Sequence, residues 1–169
     1  MKLVVTDACI FIDVIELQLA SEFFGLELEI HTTVDVINEL FQQQQQLLRA
    51  YEQGGKLTIH TLTSTDQMAI LQSNFPRALS PEDCSVIYIA QKLNATVLSS
   101  DKPVRNHAKN LSIEYHGMFW IFDKLVEEKL LTGATATTKL KSLVQSNLIY
   151  KGNQEMLKEA EKRFRLWSK

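Results

Sequence analysis

Two short apolar runs set the frame of this chain: LVVT at residues 3–6 and ATVLSS at 95–100. Each is rich in β-branched residues, stops at an aspartate, and gives way to a helical spacing of apolar positions. The first is followed by Ile10, Phe11, Val14, Ile15 and Leu17, which predict a helix from about Ala8. Further strands are expected at 29–32, 57–62, 96–99 and 112–115, and a short helix at 21–24. A long helix is expected over 34–53, opened by Thr33 and stopped by Gly54-Gly55, with the glutamine run 42–46 as one of its solvated faces. Ser80-Pro81-Glu82-Asp83 combines an N-cap serine, an N1 proline and first-turn acids, and so starts a helix to about Leu93. Helices at 65–74, 102–109, 118–131, 135–146 and 154–167 complete the pattern. Strands alternating with helices predict an α/β fold with a mainly parallel sheet.

A chain of 169 residues is one domain in expectation and long enough to bury a core without staples. Lys151-Gly152-Asn153 is the best boundary, separating a domain at 1–150 from a C-terminal helix at 151–169. Leu157, Phe164 and Trp167 fall on one face of that helix and would pack it on the rest. The net charge of −2 excludes a generally basic nucleic-acid clamp, so nucleic acid would need a local patch or bound cations. Asp7 and Asp13 interrupt the apolar N-terminus, which argues against a signal peptide. With only Cys9 and Cys84, both read as reduced thiols, the expected location is the cytoplasm, with no membrane span. The chain has no G-x-S-x-G elbow and no P-loop, and its four histidines have no zinc-ligand spacing.

Candidate chemistry concentrates in four acids. Asp7 and Asp101 end the two apolar runs, Glu39 falls in the first half of the long helix, and Asp83 lies in the first turn of the helix after Ser80. Each has an ordinary role when taken singly. Asp7 and Asp101 can cap helices, Asp83 can close a capping box with Ser80, and Glu39 can face solvent. Taken together they are carboxylates at or near the carboxyl ends of parallel strands, where open α/β sheets bind ligands. Such an oxygen-rich cluster suits a hard divalent cation. Lys102 and Arg105, directly after Asp101, are candidate phosphate contacts along with Ser100. Asp13 and Asp35 read as ordinary surface acids, and Phe23 and Phe24 as exposed apolar residues.

The stretches VVTDACIFIDVIEL, TTVDVINEL, LSPEDCSVIYIAQKLNATVLSSDKPVRNHA and IEYHGMFWIFDKLVEEKLLT resemble the PIN-domain family of nucleases across most of residues 3–150. The resemblance places the family's acids at Asp7, Glu39, Asp83 and Asp101. It implies a three-layer α/β/α fold with a central sheet of about four to five strands. The implied activity is hydrolysis of single-stranded RNA with Mg²⁺ or Mn²⁺, leaving 5′-phosphate and 3′-hydroxyl ends. The implied partners are an antitoxin protein, if the chain is the toxin of a toxin–antitoxin pair, and a second copy in a homodimer. Two features depart from the family pattern. Cys9 stands where a Ser, Thr or Asn is usual, and few acids follow Asp101. A degenerate domain that binds RNA or protein without cleaving it is therefore the alternative reading.

Overall fold

The computed structural model describes residues 1–169 and contains five strands and ten helices. In chain order they are β1 (Lys2–Thr6), α1 (Ala8–Glu16), α2 (Ala20–Phe24), β2 (Leu28–Thr33), α3 (Val34–Glu39), α4 (Gln42–Gln53), β3 (Thr58–His60), α5 (Ser64–Gln72), α6 (Pro81–Leu93), β4 (Thr96–Leu98), α7 (Lys102–Asn110), β5 (Tyr115–His116), α8 (Met118–Glu127), α9 (Gly133–Ser146) and α10 (Gln154–Trp167). All strands join one sheet in the order β3-β2-β1-β4-β5, every pairing parallel. The α/β architecture with a parallel sheet flanked by helices is therefore present.

The chain divides into two compact units, Met1–Ile12 with Glu27–Gly117, and Asp13–Leu26 with Met118–Lys169. The first holds the sheet. Its central strand β1 buries Val4, Val5 and Thr6, and β4 is buried along its whole length, as a doubly covered parallel strand requires. Helix α6 packs on β1, β2 and β4 through Val86, Ile87, Ile89 and Ala90. Each large side chain buried there contributes about 1.5–3 kcal/mol. The strand order reverses at β1: β2 lies on one side and β4 on the other. The carboxyl ends of β1 and β4 thus form the topological switch point of the sheet.

The long helix expected over 34–53 is two helices. Leu40 and Phe41 adopt extended backbone between α3 and α4, and Leu40 is buried. No glycine or proline marks the break. Glutamine side chains stabilise it instead: Phe41 N–H donates to Gln44 Oε1 at 2.9 Å, and Gln45 Nε2 donates to the Leu40 carbonyl at 2.8 Å. These amides satisfy backbone groups that a helix junction leaves unpaired. Part of the glutamine run is thus a junction device rather than a mid-helix solvated face. Glu39 becomes the last residue of α3 instead of an acid in the first half of a long helix.

In the second unit, α10 packs on α9, with Ala160 buried and Leu157, Phe164 and Trp167 half-buried on the inner face. Arg163 clamps Asp123 of α8 through Nε and Nη2 at 2.8–3.1 Å. A methyl group on Gly133 would collide with the Trp167 carbonyl, so glycine opens α9 where α10 ends. Three sequence expectations fail here for the same reason, that pattern does not reveal tertiary cover. Phe23 and Phe24 are buried, with α2 against α8, and offer no exposed dimer face. Asp13 is buried rather than on the surface, and its Oδ1 accepts from Asn147 Nδ2 at 3.0 Å. No helix is long and apolar enough to cross a membrane.

Candidate active site

Asp7 follows directly from the sheet register. Thr6 pairs with Leu98, and the Asp7 amide donates to the Leu98 carbonyl at 3.1 Å, so Asp7 and Ser99 leave adjacent strands side by side. Asp7 is 3% exposed. Its Oδ1 accepts from the Ile10 amide at 3.2 Å, the N-cap role, and from the Cys9 thiol at 2.9 Å. Burial pushes its pKa up to about 6. Hydrogen bonds from Cys9, Ser99 and Ile10 hold it back, and the charge of Asp83 adds to the rise.

Asp66 shows that this is not simply the fate of a buried acid. It is 5% exposed, yet its carboxyl is held well below the usual range by the Thr63 amide, the Tyr88 hydroxyl and Lys92. Asp66 has a cationic partner and works as a structural acid. The charge acting on Asp7, that of Asp83, is by contrast negative.

The other acids converge on the same end of the sheet. Asp83 sits at N3 of α6 in the expected capping box: its amide donates to Ser80 Oγ at 3.1 Å and its Oδ2 accepts from Ser80 N–H at 3.0 Å. Asp101 occupies the N-cap position of α7. Burial and the charge of Asp83 raise its pKa, and the Val104 amide draws it back. Glu39, exposed at the end of α3, is raised to about 7 by desolvation and then by the charges of Glu82, Asp83 and Asp7. These mutual effects tie Asp7, Glu39, Asp83 and Asp101 into one electrostatic cluster. They also add Glu82, which the sequence showed only as a first-turn helix acid.

Hydrogen bonds among small side chains hold these elements in place. The Thr33 hydroxyl caps α3 through the Val36 amide and meets the Ser85 hydroxyl of α6 at 2.8 Å. This seam fixes the start of α3 against the first turns of α6. Ser99 Oγ accepts from the Asp101 amide at 3.0 Å, and the Ser100 amide donates to Cys9 Sγ at 3.3 Å. Gly117 lets the next loop approach: a Cβ there would meet Arg105 Nη1 at 3.3 Å and the Ser99 carbonyl at 3.4 Å. Of the candidate phosphate contacts, Lys102 is exposed, and the Arg105 guanidinium lies over the Tyr115 ring at 5.2 Å. Ser100 is buried. The Cys9 thiol has its pKa raised well above normal, first by burial and then by Asp7, so it is a neutral donor to the carboxylate.

The donor set fits a hard divalent cation, because clustered carboxylates are stabilised by positive charge. No group of three or more His, Cys, Asp or Glu side chains is placed to hold a metal ion by itself. The fit is therefore to an ion held by one or two carboxylates, with water and substrate oxygens completing its sphere, which is the usual mode for Mg²⁺. Histidine plays no part in the cluster. His31 and His60 do meet elsewhere, Nδ1 to Nε2 at 2.7 Å, brought together by the β2–β3 register, and Glu29 holds the far nitrogen of His31.

The Ser80 cap carries a separate expectation. Ser80→Ala should cost about 1 kcal/mol, read as a lower urea midpoint with unchanged slope. An unchanged midpoint would mean that the capping box adds nothing to the stability of α6.

Comparison with known proteins gives a family match. A PIN-domain family model matches residues 3–162. Among solved structures, a PilT N-terminus domain protein from the hyperthermophilic archaeon Sulfolobus solfataricus P2 is 15% identical with a TM-score of 0.48, over 74% of this chain and 94% of that one. A domain of a functionally unknown protein from Methanocaldococcus jannaschii DSM 2661 is 18% identical with a TM-score of 0.47, over 69% of this chain and 91% of that one. No curated protein matches the chain.

Proposed function

The chain belongs to the PIN-domain family, whose members are generally nucleases that depend on divalent metals, and from that premise we propose that it is an endoribonuclease that hydrolyses phosphodiester bonds of single-stranded RNA with Mg²⁺ or Mn²⁺. The observation that carries this reading is the coupling of Asp7, Glu39, Asp83 and Asp101 at the carboxyl edge of β1 and β4.

In this reading Asp7 and Asp101 hold the cation, Asp83 supports it, and Glu39 completes the cluster at the rim. The bound ion would supply Lewis acidity and a more acidic water. Water attacks phosphorus and the 3′-oxygen leaves, giving 5′-phosphate and 3′-hydroxyl ends. Glu39, with its pKa near neutrality, can take up or release a proton at its carboxyl oxygen during that exchange. Lys102 and Arg105 offer positive charge to the flanking phosphates, which an acidic cleft needs to admit a polyanion. Cys9 in the place of a hydroxyl still donates to Asp7. The same thiol favours the second reading, a domain that binds RNA without cutting it, because a thiol is a poor partner for magnesium or phosphate.

The test is a panel of end-labelled single-stranded RNA, single-stranded DNA and duplex RNA, incubated with Mn²⁺, Mg²⁺ or EDTA. Metal-dependent cutting of the single-stranded RNA alone, with 5′-phosphate products, is the expected result. Binding without cutting in every lane would move the assignment to the second reading. A toxin role adds one expectation: growth arrest on expression, relieved by an adjacent reading frame.

A further inference from the structure

Helices α3 and α6 carry Glu39, Glu82 and Asp83 of the acid cluster. Asp35 of α3 and Cys84 of α6 also line a groove of about 640 Å³ that continues to α5 and the loop before α6. Asp35 precedes Glu39 by one helical turn, and Cys84 follows Asp83 directly, so the groove abuts the acid cluster through both helices. It is too large for one water or ion and lies within the usual range for small-molecule sites.

Its lining is mostly apolar, from Leu62, Ile70, Leu71, Pro76, Leu79 and Pro81, with a few polar side chains set among them. Phe75 is half-buried, with its ring tilted against His107 of α7 at 5.3 Å, and the amides of Gln67 and Asn74 and the guanidinium of Arg77 share the lining. An aromatic face, two amides and one arginine are the groups with which proteins take an unstacked base of a single strand: stacking for the ring, amides for its edges, a cation for its phosphate. Asp35 favours the exocyclic amine of a base over a phosphate at its own wall. We propose that this groove is a nucleobase subsite, seating a base near the scissile phosphate of single-stranded RNA, with Phe75 as the stacking residue. The proposal rests on the ribonuclease reading above, and helices α3 and α6 give it continuity with the acid cluster.

The experiment measures affinity and cleavage separately. In EDTA, anisotropy of labelled octamers (U₈, A₈ and an abasic ribose-phosphate octamer) gives Kd for wild type, Phe75→Ala, Phe75→Leu and Gln67→Ala. Stacking is worth on the order of 1–3 kcal/mol per base, so Phe75→Ala should weaken U₈ and A₈ about tenfold and leave the abasic octamer unchanged. Phe75→Leu keeps apolar bulk without a ring and should behave like the alanine variant. Gln67→Ala, on an exposed position, should change the preference between U₈ and A₈ with little risk to folding. In Mn²⁺, the Phe75 variants should raise KM with kcat nearly unchanged. The proposal is overturned by wild-type affinity in Phe75→Leu, by equal loss on the abasic octamer, or by no loss at all, which would leave the groove to another occupant such as a protein segment. Phe75-dependent binding of bases by a protein that never cuts would keep the subsite and end the ribonuclease reading. Cutting with unchanged KM in the variants would do the reverse.

Discussion

Asp7→Asn is expected to melt about 4–8 °C above wild type at pH 8 in EDTA while losing RNA cleavage by at least about 100-fold. The two effects share one cause. Asp7 is buried among other carboxylates, and its pKa is raised from 3.8 to about 6. A tenfold weaker acid carries about 1.4 kcal/mol of penalty on its ionised form, so removing the charge at pH 8 recovers about 3 kcal/mol. Burying the asparagine amide takes back about 1 kcal/mol of that. Asparagine keeps the shape and still accepts from Ile10 N–H and the Cys9 thiol, and it caps helices as well as aspartate does. It cannot supply the charge that a divalent cation requires. Scanning calorimetry and a cleavage time course on the same preparations check both halves. A lower melting temperature in the variant would mean that the Asp7 charge stabilises the fold, and the electrostatic account of the site would fail.

The second large effect is the coupling of pH, cation and stability. Asp7, Asp101 and Glu39 all have raised folded-state pKa values, about 6 for Asp7 and about 7 for Glu39. Between about pH 4 and 7 the folded protein therefore keeps protons that the unfolded chain has released. Their contribution to stability is largest at the acid end of that window and is lost as pH rises through the folded pKa values. His60 and His107, whose pKa values are lowered by desolvation, pull the other way near pH 6. Comparing melts with and without Mn²⁺ cancels them, because they lie outside the carboxylate cluster. At about 100 times its Kd, a cation should add about 2.7 kcal/mol, or roughly 5–11 °C for a chain of this length. The gain should be greatest at pH 8 and shrink toward pH 5 as protons compete. A cation effect independent of pH would place the ion elsewhere.

Much of this site is legible from local chemistry. Strand-end aspartates before helical periodicity give Asp7 and Asp101, and Ser80-Pro81-Glu82-Asp83 announces its own helix start. Those features are short-range, and backbone capping enforces them. Glu39 is legible as a residue but not in its place within the helix. The break after it depends on a buried Leu40 and two glutamine amides, which the helix propensity of the flanking residues conceals. Glu82 joins the cluster only because the Thr33–Ser85 contact fixes the start of α3 against α6, a pairing with no local signature. Asp13, Phe23 and Phe24 make the same point from the other side. Their burial is decided by elements distant in the chain, so composition and period alone leave them on the surface.

If the carboxylate cluster holds the divalent ion that cuts RNA, the rate of cleavage of a single labelled RNA as a function of Mn²⁺ concentration will show it, measured in wild type, Asp101→Asn and the Asp7→Asn/Asp101→Asn pair. Expected are no cleavage in EDTA, saturation with Mn²⁺ in wild type, a curve displaced to higher Mn²⁺ in Asp101→Asn, and no cleavage in the pair. Cleavage that persists in EDTA and in the double variant would place the chemistry at another site and contradict that role of the cluster.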